Sequence, residues 1–165
     1  MSKHTALVAG FALLLLLAIG FAGMDMMRGK GMMGMTKGKG MMGMMNMSMV
    51  RHQFVMRNGI GSEYSSKRNT LVRNKDNLNA GKILYEKNCL SCHGLSGYGD
   101  GPAGKNMDPR PANIASFSKM PMATDGYLFW TISEGGLPIK TVMPAFKSSL
   151  KDEEIWKIIV YLRDM

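Results

Sequence analysis

Cysteine is scarce in this chain, with only Cys89 and Cys92 among 165 residues, and histidine nearly so, with His4, His52 and His93. A structural zinc site needs a second pair of ligands beside a Cys-x-x-Cys pair, and the chain has no third cysteine to start one. A thioredoxin-like redox pair belongs in a βαβ pattern, and no such pattern is present. Acidic residues are also short: 12 Asp and Glu stand against 21 Lys and Arg, for a net charge of +9. The shortage is local. Residues 24–78 carry 3 acidic and 10 basic side chains, whereas residues 79–165 are close to neutral, with 9 and 10. The basic stretch lacks interleaved aromatics and any nucleic-acid-binding motif, which argues against nucleic acid as a partner. An anionic membrane surface or an acidic protein patch fits such an arm better.

What the chain does have is the run Cys89-Leu90-Ser91-Cys92-His93. Two cysteines three apart, followed at once by histidine, give the spacing for covalent attachment of a c-type haem. Each thiol can add to one vinyl group of the macrocycle, and the intervening turn brings His93 beneath the iron as an axial ligand. The haem uses both cysteines, so none is left for a disulfide.

The N-terminus agrees with that chemistry. Lys3 and His4 precede an apolar run of 18 residues from Ala6 to Gly23. A charged start and a hydrophobic core are the pattern of an export signal, and Gly20-Phe21-Ala22 offers small residues for cleavage after Ala22. Residues 1–23 are therefore read as a signal peptide, with a retained membrane anchor as the alternative. Either way the remainder lies outside the cytoplasm, in the periplasm or held at the outer face of the cytoplasmic membrane.

Methionine is in excess, with 19 in the chain and 12 of them between Met24 and Met49. Gly31-Met32-Met33-Gly34-Met35 is nearly repeated as Gly40-Met41-Met42-Gly43-Met44. With glycine so frequent, residues 24–49 read as a low-complexity arm in which no helix or strand is specified. Soft thioether sulfurs in many copies suit Cu(I). The alternative is a flexible linker serving as an oxidant sink. Residues 50–78 differ. Val50, Phe54 and Val55 before Asn58-Gly59 predict a short helix, with His52 and Met56 on one face as a candidate metal pair. Residues 61–78 are polar and turn-rich, and read as a linker or a strap over the haem domain.

Residues 79–165 form that domain, and three helices are legible in it. The first runs from about Asn79 to Asn88. The second has Thr124 or Asp125 as N-cap and stops at Gly135-Gly136. The third opens on Asp152, Glu153 and Glu154, which favour a helix N-terminus, and carries Ile155, Ile158, Ile159 and Leu162 at helical spacing. The glycine- and proline-rich stretch 94–122 reads as too irregular for a helix, and within it Gly97, Gly99, Gly101, Pro102 and Gly104 make a loop that can pass close to a flat cofactor. No strand pairs are evident, so the fold class is all-α with long loops. For the second axial position Met143 is the candidate, because Pro144 holds its backbone extended and thioether pairing with a haem histidine is established in cytochromes c. Met107, Met120 and Met122 are the competing sulfurs. With both axial positions filled the iron only changes valence, which indicates an electron carrier and not an enzyme.

From Asn79 to Met165 the chain resembles the class I, single-haem cytochromes c. The matching features are Gly81 and Tyr85 ahead of Cys89-x-x-Cys92-His93, the Gly-Asp-Gly-Pro loop at 99–102, Arg110-Pro111-Ala112-Asn113, Met143-Pro144 and the closing helix with Tyr161. The resemblance implies a small fold of three main helices around a covalent haem. It also implies that Gly81 and Tyr85 cross Ile158 and Tyr161, and that a backbone carbonyl at or next to Pro111 accepts the histidine ring N–H. The function expected is a one-electron shuttle between a respiratory donor and an oxidase or reductase. The alternatives are a copper-handling protein whose arm binds Cu(I) beside a redox haem, and the electron-transfer subunit of an enzyme that oxidises sulfur compounds.

Overall fold

The computed structural model describes residues 39–165, with side chains from Met49 onward. In chain order its helices are α1 (Lys39–Asn58), α2 (Ser62–Ser65), α3 (Lys75–Asn88), α4 (Leu90–His93), α5 (Ile114–Phe117), α6 (Asp125–Glu134), a 3₁₀ turn (Leu137–Ile139) and α7 (Asp152–Leu162). Among the described residues there is no strand, as the all-α expectation requires.

Each of the three main helices has a local reason to begin where it does. Thr124 caps α6 by accepting a hydrogen bond from the Tyr127 N–H, and Glu154 reaches back to the Lys151 N–H at 2.8 Å to start α7. Helix α3 begins at Lys75, four residues before the position expected from its apolar pattern. The cause is Asn74, whose side chain accepts from the Asn77 N–H at 2.9 Å. The first turn it caps opens on the polar Lys75, Asp76 and Asn77, and Leu78 alone makes a faint hydrophobic signal.

The core forms where α3 crosses α7. At Gly81 a Cβ would run into the Lys157 carbonyl and come within 2.9 Å of Tyr161 Cβ, so only glycine lets the two backbones meet. Tyr85, wholly buried, sets its ring 5.4 Å from Tyr161 and donates its hydroxyl to the Gly94 carbonyl at 2.6 Å. Ile155, Ile158, Ile159 and Leu162 of α7 fill the interior with Leu128, Phe129 and Ile132 of α6. Each such side chain contributes about 1.5–3 kcal/mol by leaving water. The crossing is the one the resemblance implies.

Of residues 61–78, those up to Arg73 run as a strap, and 75–78 belong to α3. Tyr64 donates to Glu134 at 2.5 Å, Lys67 pairs with Asp152 at 3.0 Å, and Asn69 bonds both Asp125 and the Trp156 carbonyl. Arg73 closes it on Asp164. Ahead of it, α1 lays Phe54 parallel to Trp130 with ring centres 6.0 Å apart. The helix also extends further than expected, back to Lys39, through Gly40 and Gly43, where the sequence specifies no regular structure. Methionine is a good helix former, and a helix nucleated at 50–58 adds residues at little further cost. The candidate signal segment 1–23 and residues 24–38 of the methionine-rich arm lie outside the described residues. Among the described residues no helix is long and apolar enough to cross a membrane.

Candidate functional site

The Cys89–His93 segment folds as a single helical turn hung from the end of α3. His93 N–H donates to the Cys89 carbonyl at 2.9 Å, and Gly94, at φ 78°, turns the chain away. The next loop then laces back onto this turn. Gly99 N–H bonds the His93 carbonyl, Gly101 N–H the Cys92 carbonyl, and Ala103 N–H the Ser91 carbonyl. A Cβ on Gly104 would strike the Cys92 carbonyl, and one on Gly99 would strike that of Pro111. Gly101 and Gly104 thus admit the backbone of the turn itself and Gly99 that of Pro111, where the sequence suggested approach to a flat cofactor.

His93 places Nδ1 3.2 Å from the Ala112 carbonyl oxygen. The nitrogen donates there, which leaves Nε2 as the free lone pair. Burial pulls the imidazole below its ordinary pKa, against the raising effect of the Ala112 backbone bond and with help from the Arg51 charge, which favours the neutral ring that can ligate a metal. Cys89 and Cys92 are not joined in a disulfide, which leaves both sulfurs for a cofactor. Burial, and then the neighbouring Cys92, push the Cys89 thiol up to about 12.

Cys89, Cys92, His93 and Met143 line one cavity of about 410 Å³. Ile114, Phe117, Ile132, Ile158 and Leu162 make most of its wall apolar. Small-molecule and cofactor sites run from roughly 300 to 1,000 Å³ and are built this way, from apolar walls and a few polar groups. The loop carrying Met143 is fixed by the Gly136 N–H on the Met143 carbonyl at 2.8 Å and by the Thr141 N–H on the Gly136 carbonyl at 3.0 Å. Of the competing sulfurs only Met107 also lines the cavity; Met120 and Met122 are exposed on the surface. Two of the lining residues, Tyr127 and Thr141, keep a buried hydroxyl without a hydrogen-bond partner. A flat apolar macrocycle with carboxylate edges suits such a lining.

The candidate pair His52 and Met56 is not brought together as a site. Met56 is exposed, while His52 turns a buried, unpartnered Nδ1 inward. Among the described residues no group of three or more His, Cys, Asp and Glu could hold a metal ion. Arg51, which sequence reasoning passed over as one more cation of a basic arm, lines the cavity and brings Nη2 within 3.8 Å of Met143 Sδ.

A helical fold whose interior cavity collects a Cys-x-x-Cys-His turn and a methionine loop defines a c-type cytochrome. The chain belongs to the family described as cytochrome c oxidase, cbb3-type, subunit III, whose model matches residues 76–162. No curated protein and no solved structure matches it. Membership in a c-type cytochrome family makes the cofactor a covalently bound haem c and the chemistry haem-based electron transfer.

Proposed function

We propose that this chain is a single-haem carrier that moves one electron at a time between respiratory partners outside the cytoplasm. Cys89 and Cys92 form the thioether bonds, and His93 and Met143 take the two axial positions. The observation that carries this reading is the meeting of all four residues in one apolar cavity. The haem supplies a metal that changes valence by one electron. The chain's residues hold it in place: the Ala112 carbonyl orients His93 through Nδ1, the Gly136 N–H holds the Met143 backbone, and the apolar wall excludes water. Such second contacts tune ligand strength as much as the ligands themselves do.

In domain terms, residues 79–165 carry the cofactor, residues 50–78 brace them, residues 24–49 are a basic methionine-rich arm, and residues 1–23 are an export signal or anchor. The family's description favours an oxidase as the electron acceptor, either as a partner or as the assembly in which this chain sits. Copper on the arm remains a separate reading, tested by titrating Cu(I) into the full chain.

The test is the optical spectrum of the oxidised protein. Met143 ligation gives a weak far-red sulfur-to-iron band. Met143→Ala abolishes it, whereas Met107→Leu leaves it in place. Loss of the band in the Met107 variant alone would transfer the axial role to Met107.

A further inference from the structure

One charge in the cavity has no counterpart. Arg51 is 6 % exposed, and among the described residues no carboxylate pairs with it. Its Nη1 donates to the Gly135 carbonyl at 2.8 Å, its guanidinium lies 5.3 Å from the Trp130 ring centre, and its Nη2 reaches only the weak acceptor Met143 Sδ. A guanidinium offers five N–H donors in a fork that matches a carboxylate, so strong donor capacity stays unused. Burying a cation without an anion is costly. The other charged or titratable groups nearby do not meet that need. His93 is neutral, Tyr127 is a phenol, His52 is the next residue on α1, and Lys140 adds a like charge to the lining. Asp108 also lines the cavity but is exposed and makes no pair with Arg51.

The second observation points the same way. Tyr127, 3 % exposed on α6, is also among the residues lining the cavity, and its buried hydroxyl has no hydrogen-bond partner. A buried cation and an orphaned O–H thus sit in the wall of one apolar chamber, and the only carboxylate among its lining residues, Asp108, is exposed. Haem brings carboxylates on its propionate arms, and no other part of it is anionic. Solvent anions are the competing source of the same chemistry.

We propose that Arg51 and Tyr127 form the anion site that takes the carboxylates of the haem, so that α1 completes the cofactor cavity. This rests on the haem reading above and goes beyond the family, because Arg51 lies 25 residues ahead of the matched segment 76–162. The pairing satisfies the guanidinium and the phenol together. It also fixes a positive charge beside the iron, which favours the reduced state.

The test uses the full-length, haem-loaded protein. The propionate bending mode in resonance Raman reports hydrogen bonding to these carboxylates, and it is read with the reduction potential. Arg51→Gln should shift the mode and lower the potential, and Arg51→Lys should restore both in part. Tyr127→Phe should shift the mode by less. A mode in Arg51→Gln that superposes on the parent's overturns the proposal, and assigns the site to a solvent anion if added chloride then moves it in the parent. A shift that Arg51→Lys leaves at full size also overturns it, since it marks lost packing and not lost charge. If Arg51→Gln yields no loaded protein, Tyr127→Phe decides in the same way. A parent protein without covalent haem would end the functional reading instead.

Discussion

Gly81→Ala tests the packing that holds the haem turn in place. A Cβ at this position would sit 2.8 Å from the Lys157 carbonyl carbon and 2.9 Å from Tyr161 Cβ. Ordinary contact requires about half an ångström more at least, and the obstacle is backbone, so α3 and α7 must part. A gap of about 0.5–1 Å forfeits roughly a quarter to a half of each contact's attraction. Tyr85, Ile158 and Tyr161 meet at this crossing, and burial of each contributes about 1.5–3 kcal/mol, so the loss is about 1–4 kcal/mol. Alanine returns up to about 1 kcal/mol of helix propensity. Taking the middle of that range, about 2.5 kcal/mol, less the up to about 1 kcal/mol returned, the net expectation is a destabilisation of about 1.5–2.5 kcal/mol, and each kcal/mol lowers Tm by about 4–8 °C in a domain of this size. Thermal unfolding followed by far-ultraviolet circular dichroism measures it, with Ile83→Ala as the control. Ile83 is 64 % exposed on the same helix, and its loss should change little. A Gly81→Ala protein as stable as the parent would refute the close-approach argument, because propensity would then have outweighed the contact.

Further expectations concern the loop and the strap. Gly104→Ala puts a methyl group against the Cys92 carbonyl and 2.7 Å from Pro111 Cγ, so the Cys-x-x-Cys-His turn should be displaced and covalent haem lost. Haem-dependent peroxidase staining of the denatured protein on a gel reads this, and a stained band of parental intensity would count against it; exposed Ala103→Ser next door should stain normally. Glu134 is held below the usual carboxylate range, first by the Tyr64 hydrogen bond and then by Lys147. A depressed folded-state pKa contributes stability that is present above the unfolded value and lost as pH falls through the folded one. Glu134→Gln should therefore flatten the acid limb of stability against pH, and an unchanged limb would show that other carboxylates set it.

What was legible in the sequence was local. Helix α7 has acidic residues in its first turn and isoleucines at helical spacing, and α6 has a threonine cap and a Gly-Gly stop; both signals lie within a few residues of the element they specify. The Cys89–His93 turn is local in the same way, whereas the Met143 loop is fixed by a backbone bond from Gly136, seven residues earlier. The early start of α3 was hidden because Asn74 caps a polar turn and sits in a run of other asparagines and serines. The purpose of the glycine loop was misread for a related reason: which backbone comes close to Gly99, Gly101 and Gly104 is a tertiary fact. Arg51 was the deepest omission. In a stretch with 10 basic residues a further arginine reads as solvated, and its burial depends on Trp130 and Gly135, both far along the chain.

Those long-range contacts bear on where the cytochrome begins as a physical object. The family match starts at residue 76, yet the segment ahead of it is tied to the helices that wall the cavity. Phe54 covers Trp130, and Tyr64, Lys67, Asn69 and Arg73 each bond a residue of α6, α7 or the chain just after α7. Exposed ion pairs of this kind contribute little singly, about 0–1 kcal/mol. The aromatic contact and the buried guanidinium weigh more, since stripping them would expose Trp130 and open the Met143 side of the cavity to water. Water there would compete for the iron and weaken every electrostatic interaction inside. On the proposed haem reading, a chain that lacks residues 39–73 should lose its haem's native environment, and a truncated protein with the parent's spectrum and reduction potential would show that residues 51–73 do not wall the site.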